Sequence, residues 1–256
     1  MLQGWILKIR RAETPGYRRL KSIARAFFYA SMPLPGVLRP LFRFLYRARF
    51  SVPVWYHYFV SYFFRGPAFR ARCESCGERL YARITPVAPN HTRIIAGDDL
   101  QLFGKLDVYS PPLYDDATLK IGDRVDIGHM VVVMAAQHVE IGSDVNIANR
   151  VVIADNDSHP RNAEDRIAGL GPEPEEVRPV KIGDKVWLGM GAFIGKGVTI
   201  GEGAIIAASS VVLTDVPAYC VAMGNPARVV VKDLDLKYAA QKAEAAKSDE
   251  PKVGAS

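Results

Sequence analysis

One histidine in a polar segment is the first residue in this sequence whose type and setting could do chemistry. His159 follows Asp155, Asn156 and Asp157 in a segment, residues 154–181, that reads ADNDSHPRNAEDRIAGLGPEPEEVRPVK. An imidazole titrates near neutral pH, so His159 is a candidate general base. Asp157 or a backbone carbonyl could fix its tautomer. A solvated loop histidine without a catalytic role explains the same residues equally well.

The chain after this segment repeats every six residues. Aliphatic residues return at Ile182, Leu188, Ile194, Ile200, Ile206 and Val212, and a small residue follows five of the six. This period fits neither an α-helix nor a plain strand and is typical of a parallel β-helix of stacked coils. Each aliphatic side chain should point inward, with a small residue at the corner. A glycine-rich β meander is the alternative, but six repeats in phase argue against it.

The same period occurs before the segment. Aliphatic or small residues head these repeats in three groups: Ala96, Leu102 and Val108; Ile121, Ile127 and Val133; Ile141, Ile147 and Ile153. Because three repeats make one coil, the sequence predicts about five coils, interrupted at 111–119 and at 154–181. A repeat fold accommodates insertions as loops at a corner, often on the binding face, so 154–181 is predicted to be such a loop.

Positive charge and aromatic residues are concentrated at the N-terminus. Residues 1–72 hold fourteen Lys and Arg against one acid, Glu13, whereas the net charge of the whole chain is only +6. Basic residues attract anionic headgroups and aromatic residues favour the interface, so we expect a helical amphipathic arm on a membrane surface. Its longest apolar run, 52–64, is shorter than the roughly 20 residues of a spanning helix. The alternatives are that the arm packs on a partner subunit or binds nucleic acid. The aromatic content disfavours nucleic-acid binding.

Other sequence features place the chain in a reducing compartment. No secretory signal precedes the arm, so we expect a peripheral protein on the cytoplasmic face of the inner membrane. The cysteines, Cys73, Cys76 and Cys220, are odd in number and suit that compartment. Cys73 and Cys76 resemble half a zinc knuckle, but no second pair completes four ligands, so we expect ordinary cysteines and no metal. Prolines 33, 35 and 40 should interrupt the arm's helices.

From about residue 72 to 231, the sequence resembles the left-handed β-helix hexapeptide-repeat acyltransferases, especially the maltose, galactoside and polysaccharide O-acetyltransferases. The motifs that carry the resemblance are Ser158-His159-Pro160, VWLG at 186–189, GVTIG at 197–201, SSVV at 209–212, DVP at 215–217 and GNPAR at 224–228. It implies a mainly β fold: a left-handed parallel β-helix over 73–231 containing an active-site loop at 154–181. The arm, 1–72, precedes it, and a short C-terminal helix and tail, 232–256, follow.

The resemblance also implies a reaction and its assembly. A homotrimer would hold acetyl-CoA between subunits and need no metal. The identity of the acceptor does not carry over; the membrane-associating arm is the reason to expect a glycan or lipid-linked sugar at the membrane face. His159 would be the general base, and the backbone N–H of Met190 would stabilise the tetrahedral oxyanion. Asn156 and Asp157 would orient the base or the acceptor. His129 stands where sugar-acetylating relatives have an Asn, so it is an acceptor-side candidate or simply a solvated histidine.

The acyl-donor contacts carry over unevenly. The candidate residues are Trp187, Gly189, Ala208 and Arg228, with Lys232 next to a family position that falls on Val231. Ala208 would let the pantetheine lie close, and Arg228 would approach the CoA phosphates. Trp187 could instead be a residue that packs at a coil corner and takes no direct part in the reaction. Two basic positions of the family are lost, at Leu213-Thr214 and at Val231.

Two other functions are compatible with the same scaffold. A γ-carbonic-anhydrase-like zinc enzyme needs three converging histidines, but His129 and His138 should face different sides of the coil. A non-catalytic scaffold that assembles other enzymes on the membrane would not need the loop and corner motifs.

Overall fold

The computed structural model describes residues 7, 11, 14–29, 34–89 and 91–238, which fall into two compact units. The first unit is Met1–Val54 and the second is Trp55–Ser256. The second unit contains the whole β-helix. The domain boundaries expected after residues 72 and 231 stay predictions.

The N-terminal part of the chain is helical, as expected of the arm. Its elements are α1 (Pro15–Tyr29), a 3₁₀ turn (Gly36–Leu38), α2 (Arg39–Val60), a π-helical turn (Ser61–Arg65) and α3 (Gly66–Arg72). Pro35 precedes the 3₁₀ turn and Pro40 lies in the first turn of α2, where its missing N–H costs nothing. Pro33 lies outside the described residues. Within the described residues, no helix combines the length and the apolarity needed to cross a membrane.

The β-helix is a three-sided prism whose sides we call faces A, B and C. Face A consists of β1 (Ser75–Cys76), β3 (Arg93–Ala96), β6 (Thr118–Ile121), β9 (His138–Ile141), β12 (Val180–Ile182) and β15 (Thr199–Ile200). Face B consists of β2 (Tyr81–Ala82), β4 (Gln101–Leu102), β7 (Asp126–Ile127), β10 (Asn146–Ile147), β13 (Trp187–Leu188), β16 (Ile205–Ile206), β18 (Val221–Gly224) and β19 (Ala227–Val231). Face C consists of β5 (Leu106–Tyr109), β8 (Val131–Met134), β11 (Val152–Ala154), β14 (Phe193–Ile194) and β17 (Val211–Val212).

The chain visits the faces in the order A, B, C and forms five complete coils within the described residues. Neighbouring coils pair in parallel and in register, so that Ile121 lies beside Ile141, and Ile182 beside Ile200. The aliphatic residues predicted to point inward are buried, which confirms the six-residue frame. A second buried row, two residues earlier in each repeat, includes Val186 and Val198.

A partial coil that the sequence pattern did not reveal precedes these five. It consists of β1 and β2, and Val87 then bridges to Asp107 on face C. Phe69 of α3 closes this end of the core, where only 2% of its surface is exposed. The Ser61 hydroxyl accepts a hydrogen bond of 2.8 Å from the Ala82 backbone N–H.

The interruptions of the repeat frame lie at the corner between faces C and A. They are the segments 110–117, 135–137 and 155–179, which connect β5 to β6, β8 to β9 and β11 to β12. The longest contains α4 (Ala163–Ile167), whose N-cap is the Asn162 side chain, and a 3₁₀ turn (Pro174–Glu176). At the other end of the prism, β18 and β19 form an antiparallel hairpin, and residues 234–238 are helical. The rest of the expected helix at 235–247 lies outside the described residues.

The spacing of the coils gives a prediction for Gly122→Ala. A Cβ at Gly122 would lie 2.7 Å from the backbone of Gly142, too close for the coils to keep their spacing. We expect a loss of about 1–3 kcal/mol in the free energy of unfolding, measured by urea denaturation at one protein concentration. Gly171→Ala is the control, because its nearest neighbour would be the Leu113 side chain at 3.5 Å. Equal stability of the two variants would contradict the prediction.

Candidate active site

The corner between faces B and C carries several predicted site residues in a column. Gly104, His129, Asn149, Met190 and Ala208 occupy the same position in five successive coils. The next residue in four of these turns adopts a left-handed conformation, as at Gly191 with φ of 71°. This conformation bends the chain sharply from one face to the next and leaves the preceding position projecting at the corner.

Met190 offers a free backbone donor at this corner. The N–H groups on either side are engaged: Gly189 donates to Ile206 O at 2.7 Å, and Gly191 donates to Asn149 O at 2.9 Å. Within the described residues, the backbone N–H groups of Met190 and Ala208 have no acceptor. The position predicted for oxyanion stabilisation therefore does present an unpaired N–H.

Small residues beside Met190 keep the corner narrow. A Cβ at Gly189 would lie 2.6 Å from the Ala208 backbone nitrogen, so a larger residue would force the two coils apart. Trp187 precedes this turn on face B, between Asn146 and Ile205, with 53% of its surface exposed. Its indole therefore lies outside the core and is available for contact with another molecule.

His129 is held in one orientation by the coils on both sides. Its ring Nδ1 accepts a hydrogen bond from the Lys105 backbone N–H at 3.1 Å. The backbone N–H of His129 donates to Asn149 Oδ1 at 2.6 Å. Because Nδ1 is an acceptor, Nε2 carries the proton of the neutral ring. Gly104 is necessary here, since a Cβ would lie 2.4 Å from Nδ1.

Asp155 organises the base of the loop that carries His159. Its fully buried carboxylate accepts backbone N–H bonds from Ala136 at 2.8 Å, Gln137 at 2.7 Å and His138 at 2.9 Å. These residues lie where the repeat frame is shifted by two positions, so Asp155 pairs donors that the shift leaves without strand partners. Asn156 donates to Asp155 Oδ1 at 2.7 Å and accepts from the Ser158 N–H at 2.8 Å.

Lys196, which the sequence analysis did not identify, ties the loop to the following coil. Its ammonium donates to Asp157 Oδ2 at 2.5 Å and to Glu176 Oε2 at 2.7 Å, and only 11% of its side chain is exposed. The hydrogen bond from Lys196, together with nearby Arg161, lowers the pKa of Glu176. Asp157 therefore pairs with Lys196 and helps to hold the loop.

The structure does not bring all the predicted residues together within one chain. His159 is exposed, and its ring makes no hydrogen bond to any described residue. Its loop leaves the corner between faces C and A, whereas Met190 lies at the corner between faces B and C. Arg228, on β19 at the C-terminal end, donates to its neighbour Ala227 O at 2.8 Å. Lys232 follows that strand and is exposed.

The cysteine pair is protonated at neutral pH. Burial, followed by the neighbouring Cys76, raises the pKa of Cys73 to about 12, and burial also raises the pKa of Cys76. Among the described residues, no group of three His, Cys, Asp or Glu side chains could hold a metal ion.

Comparisons with known proteins agree with the repeat and the fold. Residues 179–214 match the family model described as bacterial transferase hexapeptide, six repeats. A Saccharomyces cerevisiae protein provisionally named an acetyltransferase is 42% identical over 127 residues, 49% of this chain and 62% of that protein. Escherichia coli WbbJ, provisionally named a lipopolysaccharide biosynthesis O-acetyl transferase, is 32% identical over 114 residues, 43% of this chain.

A solved structure shares the fold. AntD, an N-acyltransferase from Bacillus cereus crystallised with dTDP and 3-hydroxybutyryl-CoA, superposes with a TM-score of 0.51 at 15% identity. The match covers 74% of this chain and 99% of AntD. The chain spans 62% of the yeast protein and 58% of WbbJ, less than two thirds of either. The repeats and these matches show that residues 179–214 carry the six-residue repeat of bacterial transferases and that the chain shares the fold of AntD.

The role of Asp155 is tested by Asp155→Asn. An amide turns an N–H group towards donors and carries no charge, so we expect a loss of about 2–3 kcal/mol in the free energy of unfolding. We also expect faster proteolytic cleavage within 160–178. Asp157→Asn is the comparison. The Asp157 side chain pairs with Lys196 but is about half exposed, so its replacement should lower the free energy of unfolding by about 1 kcal/mol or less. Similar losses in both variants, measured by urea denaturation and limited trypsin digestion, would show that Asp155 has no special role.

Proposed function

We propose that this protein is an O-acetyltransferase that moves the acetyl group of acetyl-CoA to a sugar hydroxyl. The observation that supports this most directly is the unpaired backbone N–H of Met190, at a corner kept narrow by Gly189 and Ala208. A thin, extended pantetheine chain suits such a corner. The relatives whose names describe O-acetyl or acetyl transfer point to the same reaction.

In this proposal, His159 acts as the general base. Its imidazole takes the proton of the acceptor hydroxyl as the oxygen attacks the thioester carbonyl carbon, because a neutral sugar hydroxyl is a poor nucleophile. The carbonyl oxygen becomes an oxyanion that the Met190 N–H stabilises. When the intermediate collapses, the C–S bond breaks and the CoA thiolate receives the proton from the imidazolium. The products are an acetyl ester and free CoA.

The proposed reaction requires a second copy of the chain. Face C lies between the corner that carries Met190 and the corner that carries the His159 loop. Its outward residues Val132, Val152, Phe193 and Val211 form a half-buried apolar column, unlike the charged outward residues of face A. Burial of this column in a homotrimer would bring the loop of one protomer to the Met190 corner of the next.

The base is tested by His159→Gln. We expect acetyl-CoA-dependent release of free thiol, assayed with a panel of glycan acceptors, to fall about 10²–10⁴-fold. Calorimetric binding of acetyl-CoA should be unchanged, which separates loss of the base from loss of the fold. His91→Gln is the control, because His91 is exposed and bonds only to the Ser110 carbonyl at 3.0 Å. Equal thiol release by His159→Gln and wild type would remove His159 from the mechanism.

We also propose that the acceptor is a lipid-linked glycan precursor, met at the cytoplasmic face of the inner membrane. Helix α2 has no buried residue, and its apolar side chains include Trp55, 74% exposed, and Phe44, 67% exposed. Arg39, Arg43 and Arg47 lie on the same helix. Exposed aromatic residues interleaved with arginine fit the interface of an anionic leaflet, which supports a peripheral location.

The membrane proposal predicts the effect of neutralising arginines 39, 43, 47 and 49 to Gln together. Each basic residue near an anionic surface contributes about 1 kcal/mol, so binding should fall by a factor of ten or more. The assay is co-sedimentation of the full chain with phosphatidylglycerol-containing vesicles at low and high salt. The matched control neutralises four basic residues of the β-helix unit, Arg124, Arg161, Lys181 and Lys185. If both variants bind vesicles as wild type does, the arm is not a membrane anchor.

A further inference from the structure

A groove of about 470 Å³ opens at the corner between faces B and C, in the coils nearest the N-terminus. It is lined by His57, Arg83, Ile84, Phe103, Gly104 and His129, all within the second compact unit. Its volume lies within the ordinary range for small-molecule sites, roughly 300–1,000 Å³, and is much larger than one phosphate ion. The groove thus has room for a sugar phosphate.

The polar groups of the groove are hydrogen-bond donors. The Arg65 guanidinium, which can only donate, lies 3.1 Å from His57 Nδ1, so Nε2 carries the proton of the neutral ring. His129 has the same tautomer, fixed by the Lys105 N–H. Burial, with nearby Arg83 and Arg65, lowers the pKa of His57, which favours this neutral form. Each ring therefore keeps an Nε2–H for a ligand.

The charge of the groove is positive and uncompensated. The Arg83 side chain is exposed, and its guanidinium makes no hydrogen bond or ion pair to any described residue. Its backbone carbonyl accepts a hydrogen bond from Arg65, which fixes the segment behind it. No acidic residue lines the groove. A guanidinium and two imidazole N–H groups without a carboxylate suit a ligand with anionic acceptor oxygens, and phosphate above all.

The groove and the proposed oxyanion position lie along the same corner of the prism. His129 and Met190 occupy the same corner position two coils apart, which at the usual strand spacing is about 10 Å. A ligand whose phosphate or diphosphate lies between Arg83 and His129 could extend a sugar hydroxyl along the corner from His129 to Met190. We infer that the groove binds the phosphate or diphosphate of the acetyl acceptor, an inference that rests on the proposed transfer to a sugar.

Two sources could supply this phosphate, a soluble sugar phosphate or a lipid-linked sugar. The helical segment that supplies His57 also exposes Trp55 and Tyr58. The Phe103 ring in the groove lies 6.1 Å from that of Tyr81, which lies 4.9 Å from Tyr58, and Tyr58 lies 6.4 Å from Trp55. A polyprenyl chain attached to the phosphate could follow this row of aromatic rings away from the groove.

The test is calorimetric titration of the full chain with inorganic pyrophosphate, in the absence of acetyl-CoA. We expect Arg83→Gln to weaken binding at least tenfold, and Arg124→Gln, which removes an arginine at the corner between faces A and B, to change it less than twofold. Wild type that does not bind pyrophosphate, or two variants weakened alike, would overturn the inference. Because Arg83 is exposed, its replacement should not unfold the chain.

A second titration identifies the source and separates the two proposals. Farnesyl diphosphate that binds at least tenfold more tightly than pyrophosphate, with the same dependence on Arg83, would support a lipid-linked acceptor; equal affinity would support a soluble one. Either result upholds the phosphate site. Loss of phosphate binding leaves acetyl transfer intact as a hypothesis. If the protein binds pyrophosphate but releases no thiol from acetyl-CoA, the proposed acetyl transfer is overturned and the phosphate site in the groove is upheld.

Discussion

The close approach of successive coils decides where this molecule can carry function. Strands of neighbouring coils are separated by the usual distance of about 4.8 Å, and the corner glycines allow the backbone to keep that spacing. At the corner between faces A and B, side chains cap the early coils: Asp98 N–H donates to Asp123, Asp123 N–H to Ser143, and Ser143 N–H to Asp184. These bonds satisfy the backbone donors of the early coils, whereas the Asp184 and Glu202 N–H groups have no acceptor within the described residues.

The corner between faces B and C is built differently. Only its early coils are capped by side chains, through His129 and Asn149, and the later coils present small or flexible residues at Met190 and Ala208. In the part of the chain that the structure describes, unpaired donors occur in the later coils of both corners, but at the corner between faces A and B they belong to the acidic residues Asp184 and Glu202, which disfavour an anion. An unpaired donor held by the backbone is already oriented before a substrate arrives, which is the condition for stabilising an oxyanion efficiently.

The sequence predicted the coils better than it predicted the site. A six-residue period is visible because every aliphatic residue at the phase position is buried, and no tertiary knowledge is needed to see it. The partial coil at β1 and β2 was missed because its core is completed by Phe69, from a helix that has no six-residue period. The sequence could nevertheless have suggested Asp155, because the two-residue shift of the frame creates unpaired N–H groups that need an acceptor. Lys196 is separated from Asp157 by 39 residues, so their contact depends on the stacking of whole coils.

The arrangement of corners explains why one chain supplies only part of the proposed chemistry. A three-sided prism separates two of its corners by the full width of a face, and the loop base is fixed by Asp155 and Lys196. The loop therefore lacks the freedom to carry His159 across face C to Met190 of its own chain. A cyclic assembly removes this difficulty, because a heterologous contact joins one corner of a protomer to a different corner of its neighbour. The rigidity that prevents a complete site within one chain would, in such a ring, hold the base in place against its partner.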